Sequence, residues 1–321
     1  MYKHIMVPTD CSGFDREAIR VGLRLAERTG AVLHLVRVRA NNEFVSMGLT
    51  PNGVEIPLIG QLDTSLAELT AVATECRNSG CAEVVTSLEE GPVADALAGY
   101  ATRNDVTLVV ISSHSRGGFS RFSLGSVTDS LIRHTTIPVL VVKPAASYLN
   151  PQVRDKFSRI IVPLDGSSLA ERILPSIVTL AKLENSEIML LNVQSLRVPI
   201  TKTQPGQPPV WEDASFAATH AYLRSIAERL RREGLTATCE IVIGENVAEE
   251  IAAYAARERA DLIAIATHGR GGLSRMVRSS VADTVTRSAG ASIFALHPGE
   301  SAVTERKPRA FSSLERALVE V

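Results

Sequence analysis

The amino-acid sequence contains the same long pattern twice. Residues 3–10 read KHIMVPTD and residues 158–165 read SRIIVPLD. Residues 114–127 read HSRGGFSRFSLGSV and residues 268–281 read HGRGGLSRMVRSSV. The first pair of segments is separated by 155 residues and the second by 154, so the spacing between the two landmarks is almost unchanged. A repeat of this length predicts two copies of a whole domain rather than a solenoid of short units.

Composition limits the classes of function that the chain can have. Its 321 residues give room for two domains, and 45% hydrophobic with 21% charged residues is typical of a packed protein. A net charge of −1 and only 4% aromatic residues disfavour binding to nucleic acid or to an anionic membrane surface. The sequence shows neither a signal peptide nor an apolar run near the roughly 20 residues that span a bilayer. We therefore expect a cytoplasmic protein.

The four cysteines do not follow the repeat. Cys11, Cys76, Cys81 and Cys239 have no counterparts at matched positions in the other half. A structural disulfide or a zinc site that belonged to the fold would have been duplicated with it. The sequence therefore predicts free thiols and no protein-bound metal site.

Strands and helices alternate along each half. In the first half the periodicity predicts strands at 5–7, 31–38, 83–87, 107–112 and 139–142, helices at 15–28, 64–77, 93–103 and 127–133, and a loop at 41–62. In the second half it predicts strands at 159–163, 187–193, 237–243, 261–266 and 292–296, helices at 168–182, 212–233, 247–258 and 279–288, and a loop at 194–211. Strict alternation predicts an α/β fold with two tandem, open, five-stranded parallel sheets of the Rossmann type, flanked by helices.

Domain boundaries follow from the breaks in this pattern. We expect one domain at 1–143, a linker with two prolines at 144–157, a second domain at 158–298 and a tail at 299–321. The tail has no counterpart in the first half. Five apolar residues predict one short amphipathic helix there, which its length favours as a docking tail over a membrane anchor: Phe311, Leu314, Ala317, Leu318 and Val321.

The carboxyl ends of the strands are where a ligand would bind, because open parallel sheets hold ligands at the point where the strand order switches. Three segments of each half should meet there, after the first, second and fourth strands. The candidate residues of the first half are Pro8, Thr9, Asp10, Val38, Ser112, Ser115, Arg116, Gly125, Ser126 and Val127. Those of the second half are Pro163, Leu164, Asp165, Val193, Ala266, Gly269, Arg270, Ser279, Ser280 and Val281.

Each segment has a functional and a purely structural interpretation. Asp10 and Asp165 could bind a ribose hydroxyl or a base amine, or they could cap the next helix together with Ser12 and Ser167. The glycine loops followed by a helix start would hold a phosphate chain, since a helix N-terminus offers unpaired N–H groups and a partial positive charge. Alternatively the glycines only make a turn and the serines only cap.

Taken together, these motifs resemble the universal stress protein family in its tandem two-domain form. The motifs are the Val-Pro-x-Asp openings, the His-x-Arg-Gly-Gly strings and the Ser-Val-x-Asp helix starts. The resemblance implies an adenine nucleotide α-hydrolase-like fold and a regulatory role in the stress response. It also implies ATP as ligand, with Mg²⁺ carried by the nucleotide. The aspartates would hold ribose or base, the backbone of Val38 and Val193 would face adenine, and the loops after the fourth strands would take phosphates.

Both halves depart from the family's nucleotide signature, which is Gly, two residues, Gly, nine residues, then Gly-Ser or Gly-Thr. The first half has Ser112 and Ser115 in place of the leading glycines and keeps Gly125-Ser126. The second half has Ala266, keeps Gly269, and ends in Ser279-Ser280. A serine in a left-handed backbone position would cost on the order of 1 kcal/mol. The sequence leaves open whether one half, both or neither binds nucleotide, and it slightly favours the first half for the phosphate end.

Two other functions compete with nucleotide binding. A scaffold that has lost the nucleotide would use loops 41–62 and 194–211 to contact a partner. An adenylyltransferase or ATP pyrophosphatase would show a His-x-x-His or a serine-glycine phosphate loop, and neither motif is present. No catalytic constellation surrounds His114 or His268, so any ATP hydrolysis should be slow.

Association is a further expectation from the resemblance, because family members dimerise through the last strand. The apolar strands at 139–142 and 293–296 would then pair the two halves as an internal pseudo-dimer with pseudo-twofold symmetry, or they are ordinary core strands of their own half. A homodimer of the whole chain is a second expectation.

Overall fold

The computed structural model describes residues 1–39, 47–49, 55–57, 60–113, 125–143, 156–194, 213–267 and 281–297. Within these residues the strands are β1 (His4–Pro8), β2 (Val32–Arg39), β3 (Met47–Leu49), β4 (Glu55–Pro57), β5 (Val84–Glu90), β6 (Leu108–Ser112), β7 (Val139–Val142), β8 (Arg159–Pro163), β9 (Glu187–Gln194), β10 (Thr236–Ile243), β11 (Leu262–Ala266) and β12 (Ser292–Leu296). The helices are α1 (Arg16–Thr29), α2 (Gly60–Asn78), α3 (Val93–Arg103), α4 (Ser126–His134), α5 (Ser168–Glu171), α6 (Leu174–Glu184), α7 (Asp213–Arg232), α8 (Val247–Arg257) and α9 (Val281–Ser288).

Ten of the strands form one sheet in the order β10-β9-β8-β11-β12-β7-β6-β1-β2-β5. Each half contributes five strands that run parallel to their neighbours within the half. The two halves join through their last strands, β7 and β12, which pair antiparallel with Phe294 opposite Leu140. The predicted pair of five-stranded parallel sheets and the predicted pairing of the last strands are confirmed.

Apolar side chains pack on both faces of the sheet. All five residues of β6 are buried, as expected for a strand covered by helices on two sides. One hydrophobic cluster lies under α1, α2, α6 and α7, and the other under α3, α4, α8 and α9. Each cluster contains residues from both halves, so the core is continuous across the β7–β12 junction.

Helix α1 lies unusually close to the sheet because of Gly22. A Cβ atom at this position would lie 2.5 Å from Cγ2 of Val7 on β1. The helix ends at Gly30, whose left-handed backbone (φ 68°) lets its N–H bond to the carbonyl of Ala26.

Polar side chains also link the two halves. Arg133 on α4 pairs with Asp283 on α9 at 2.9 Å. The ammonium of Lys143, just after β7, donates to the carbonyl of Thr286 on α9 at 2.8 Å. On the other face, Arg24 of α1 pairs with the fully buried Glu184 of α6 at 3.3 Å.

Two secondary-structure predictions are wrong in detail. The helix predicted at 168–182 is two helices, α5 and α6, because Pro175 lacks the N–H that would bond the carbonyl of Glu171 and instead begins a new helix. The loop predicted at 41–62 contains the antiparallel pair β3–β4 and the first residues of α2. The Asn52-Gly53 dipeptide between these strands is itself a typical hairpin signal. The predicted loop 194–211 falls mostly, and the predicted docking tail wholly, outside the described residues.

Candidate functional site

The strand order of each half is 3-2-1-4-5, so it switches direction between β1 and β6 and again between β8 and β11. The carboxyl ends of these strands therefore open onto a crevice in each half. Pro8 and Ser112 end β1 and β6, and Val38 is the last residue but one of β2. In the second half Pro163 and Ala266 end β8 and β11, and Val193 is the last residue but one of β9.

The loop after β1 is held by its own side chains. Thr9 is buried, its N–H donates to the carbonyl of Val36 at 2.9 Å, and its hydroxyl donates to the carboxylate of Asp15. Asp15 also accepts the N–H of Cys11 at 3.2 Å. Asp10 accepts the N–H of Ser12 at 2.9 Å, which is a tight Asx turn. Most polar groups of this loop are therefore already engaged.

The loop after β8 has the same Asx turn, but different side chains hold it in place. Asp165 accepts the N–H of Ser167 at 2.9 Å. Ser167 is the N-cap of α5 and accepts the N–H of Ala170 at 3.1 Å. The side chain of Leu164 packs in the core, its N–H donates to Leu191 at 2.8 Å, and its carbonyl accepts the Asn192 amide at 2.7 Å. Of the predicted residues in this loop, Asp165 is exposed at the crevice, whereas Leu164 is turned into the core.

The interpretation of Ser12 and Ser167 as helix caps is correct only for Ser167, in the second half. Ser167 caps α5, as the sequence allows. In the first half the N-cap position belongs to Asp15, three residues further on, and Ser12 lies in the preceding turn. The aspartates themselves form Asx turns in both halves rather than helix caps.

The ends of the fourth strands differ between the halves. The Ser112 hydroxyl donates to the carbonyl of Phe14 at 3.0 Å and so ties the end of β6 to the loop after β1. The matching residue Ala266 has no hydroxyl to do this. The next residue, Thr267, is only 6% exposed, and its hydroxyl has no hydrogen-bond partner among the residues described here. An unsatisfied buried hydroxyl costs on the order of 1–3 kcal/mol.

Thr267 is the polar group that sequence reasoning missed. The pattern Ala-Thr-His at 266–268 matches Ser-Ser-His at 112–114, and only the first and third positions attracted attention. The signal was the paired hydroxyl residues, Ser113 and Thr267, directly after the buried fourth strands.

The start of α4 provides unpaired backbone donors. Gly125 is the N-cap in an extended conformation (φ −61°, ψ 146°), and as a glycine it has no side chain with which to cap the helix. Ser126 is exposed and Val127 is partly buried. In the second half α9 begins at Val281, which is 41% exposed. The remaining predicted phosphate-loop residues lie outside the described residues: Ser115, Arg116, Gly269, Arg270, Ser279 and Ser280.

The described residues offer neither a cluster of metal-ligating side chains nor a membrane-spanning helix. Among the described residues, no group of three or more His, Cys, Asp and Glu side chains could hold a metal ion. In the same part of the chain, no helix is long and apolar enough to cross a bilayer. The four cysteines are free thiols, as predicted, with Cys76 and Cys81 buried and the other two partly exposed. Burial raises the pKa of the Cys76 thiol to about 11, which keeps it protonated at neutral pH.

A doubled 3-2-1-4-5 sheet with a crevice at each switch point defines a tandem α/β protein of the Rossmann-like class. The sequence profile of the Universal stress protein family matches residues 1–143 and 156–297. The chain belongs to this family.

Individual relatives are similar over parts of the chain. A universal stress protein of Mycobacterium tuberculosis is 29% identical over 191 residues, which cover 58% of this chain and 60% of that protein. The chain thus spans about three fifths of the length of this curated relative. A universal stress protein of Methanocaldococcus jannaschii is 30% identical over 145 residues, covering 44% of this chain and 83% of that protein. The crystal structure of a universal stress protein from Archaeoglobus fulgidus has the same fold, with a TM-score of 0.64, 20% identity, and coverage of 93% of this chain and 97% of that one.

Proposed function

We propose that this universal stress protein binds ATP or a related adenine nucleotide in at least one half, and that binding serves a regulatory role in the stress response. The observation that carries the proposal is the crevice at each switch point, bordered by an Asx-turned aspartate. In the first half it is also bordered by the N-terminus of α4, whose N-cap is a glycine without a capping side chain. Such a crevice suits a ligand that combines a sugar with an anionic chain.

Each predicted residue has a role in this proposal. The carboxylates of Asp10 and Asp165 hold ribose or base, and the Asx turn that each one makes fixes the direction of its side chain. The backbone near Val38 and Val193, at the ends of the second strands, faces adenine. In a first half that holds nucleotide, the phosphates lie toward Gly125 and Ser126, where the first N–H groups of α4 lack intrahelical partners. Mg²⁺ arrives with the nucleotide.

Chemistry on the nucleotide should be slow. Phosphoryl transfer needs a positioned water and charge stabilisation by metal or basic groups. The described crevice residues contain no histidine, and Asp15, the other carboxylate of the first-half loop, is already bonded to Thr9 and Cys11. We infer a binding protein that turns over ATP slowly or not at all.

A partner-binding adaptor without nucleotide is the second candidate. It is favoured by the internal hydrogen bonds of the first-half crevice, in which Thr9, Asp15 and Ser112 already satisfy one another or the backbone. We also propose that the protein is cytoplasmic and forms a homodimer, whichever of the two functions it has. Light scattering during size-exclusion chromatography tests the homodimer.

Titration calorimetry and thermal shift with Mg-ATP test the proposal. Wild type should bind, and Asp10→Ala or Asp165→Ala should weaken binding in whichever half is occupied. The two variants lose the same Asx turn, so each is a structural control for the other. Absence of both heat and a thermal shift at millimolar ATP would reject nucleotide binding and leave the adaptor.

A further inference from the structure

The two crevices are not equivalent, although the same sheet builds both. Four polar or thiol-bearing positions of the first half are replaced in the second. In pairs, they are Thr9 and Leu164, Cys11 and Gly166, Asp15 and Ala170, and Ser112 and Ala266. The four first-half side chains all take part in the hydrogen-bond network that holds the loop after β1. The second half has no means to form that network.

A hydrogen bond closes the first crevice at its switch point. The bond from the Ser112 hydroxyl to the carbonyl of Phe14 spans from the end of β6 to the loop after β1. These are the two segments between which a ligand at the switch point must lie. A ligand entering here would have to break this bond and compete with the Thr9–Asp15 pair.

The strand that borders the second crevice is followed by a buried hydroxyl that lacks a hydrogen-bond partner among the described residues. Thr267 follows β11 directly, and its N–H bonds to the carbonyl of Leu296 at 2.8 Å, so it continues the strand. Because side chains alternate along a strand, it shares a face with Ile263 and Ile265, the face that α8 and α9 cover. It is 6% exposed, and its hydroxyl has no partner within the described part of the chain.

This placement points to a ligand. Buried hydroxyls in folded proteins nearly always have a partner, and an exception calls for one that is absent from the chain itself. Thr267 directly follows β11, whose carboxyl end borders the second crevice, so an oxygen of an anionic ligand bound there can accept a hydrogen bond from its hydroxyl. The matching Ser113 makes a further polar contact within the protein.

We propose that the second half is the nucleotide-binding half of this chain, with the Thr267 hydroxyl donating to a phosphate oxygen, and that the Ser112–Phe14 bond keeps the first half closed. This inference rests on the proposed function, because it assigns the nucleotide to one of the two crevices. It predicts one ATP per chain rather than two.

The first test compares Thr267→Val with Thr286→Val. Thr286 is a buried threonine of the same half, and its hydroxyl bonds to the carbonyl of Ala282 at 2.6 Å. Thr267→Val should raise or preserve the melting temperature without ligand, since it removes an unsatisfied group, and should weaken ATP binding about tenfold. Thr286→Val should lower the melting temperature and leave ATP affinity unchanged. Equal ATP affinity of Thr267→Val and wild type would overturn the inference.

The second test opens the first half. Ser112→Ala copies Ala266 and removes the bond to Phe14, so the stoichiometry in calorimetry should rise from one ATP per chain toward two. A wild-type stoichiometry of two, or a Ser112→Ala variant that stays at one, would show that the Ser112 bond does not close the first half. Absence of binding in all variants is a different outcome, because it rejects the proposed function itself.

Discussion

The first and second halves share a backbone plan but support it with different side chains. The aspartate turn after the first strand has the same 2.9 Å hydrogen bond in both. Around it, the first half uses Thr9 and Asp15, and the second uses a serine cap at Ser167. The backbone also turns left-handed at matched positions, with φ 58° at Cys11 and φ 84° at Gly166. The shared fold is therefore sufficient for the Asx turn after the first strand, whereas the side chains around it determine how open the crevice is.

The junction between the halves is asymmetric as well. Glu184 is fully buried, pairs with Arg24 at 3.3 Å and Arg28 at 3.6 Å, and accepts the N–H of Phe157 at 3.1 Å. The matching residue of the first half is Thr29, whose hydroxyl bonds within its own helix. One ionic cluster therefore joins the halves on one side of the pseudo-twofold axis, without a copy on the other.

Breaking this ionic cluster should cause the largest loss in the free energy of unfolding. Glu184→Gln leaves the Arg24 charge without its carboxylate, and removing one partner of a buried pair costs about 3–5 kcal/mol. Urea unfolding measures the change in the free energy of unfolding. Glu187→Gln is the control, because its contact with Arg159 is longer, at 3.8 Å, and partly exposed, so about 0.5 kcal/mol or less is expected. A loss below about 1 kcal/mol for Glu184→Gln would show that the cluster does not hold the halves together.

The next largest change in stability concerns how closely α1 packs on the sheet, compared with the matching helix α6 of the second half. Gly22 touches β1, whereas the matching residue of α6 is the buried Ile177. Gly22→Ala should destabilise by about 1–3 kcal/mol through overpacking against Val7, despite the better helix propensity of alanine. Gly99→Ala in α3 is the control, since its added Cβ would meet only the flexible end of Arg103 at 3.1 Å. It should be neutral or stabilising in thermal unfolding, and a stabilising Gly22→Ala would contradict the close approach.

A smaller effect tests the left-handed turn. Cys11→Gly should stabilise the protein by about 0.5–1 kcal/mol, because a residue with a Cβ atom is strained at positive φ. The reciprocal change, Gly166→Ala, should destabilise by about 1 kcal/mol for the same reason. Thermal unfolding of both variants checks the signs. Changes of the same sign would show that the two turns are not equivalent.

The sequence predicted the sheets because their signal is local and repeated. Continuous apolar runs such as the one in β6 identify strands buried on both faces, and their duplication identifies two halves. The pairing of β7 with β12 followed from the resemblance and from the apolar character of both strands. The candidate site was predicted only as a set of segments. The Ser112–Phe14 bond and the unpartnered Thr267 depend on loop geometry between small side chains that look alike in the sequence.

The last prediction concerns the pH dependence of stability at Lys143, which matches His297 in the second half. Lys143 donates to the carbonyls of Thr286 and Ala289 at the end of α9, and burial lowers its pKa to about 8. The unfolded chain, with a lysine pKa near 10.5, therefore binds more protons than the folded protein above pH 8. The contribution of Lys143 to the free energy of unfolding should increase between about pH 8 and 10.5, by less than the limit of roughly 1.4 kcal/mol per pH unit. Urea unfolding of wild type and Lys143→Met across this range isolates the contribution, because the other titrating groups are common to both. A difference between the two proteins that stays constant with pH would show that burial at the junction does not lower the pKa of Lys143.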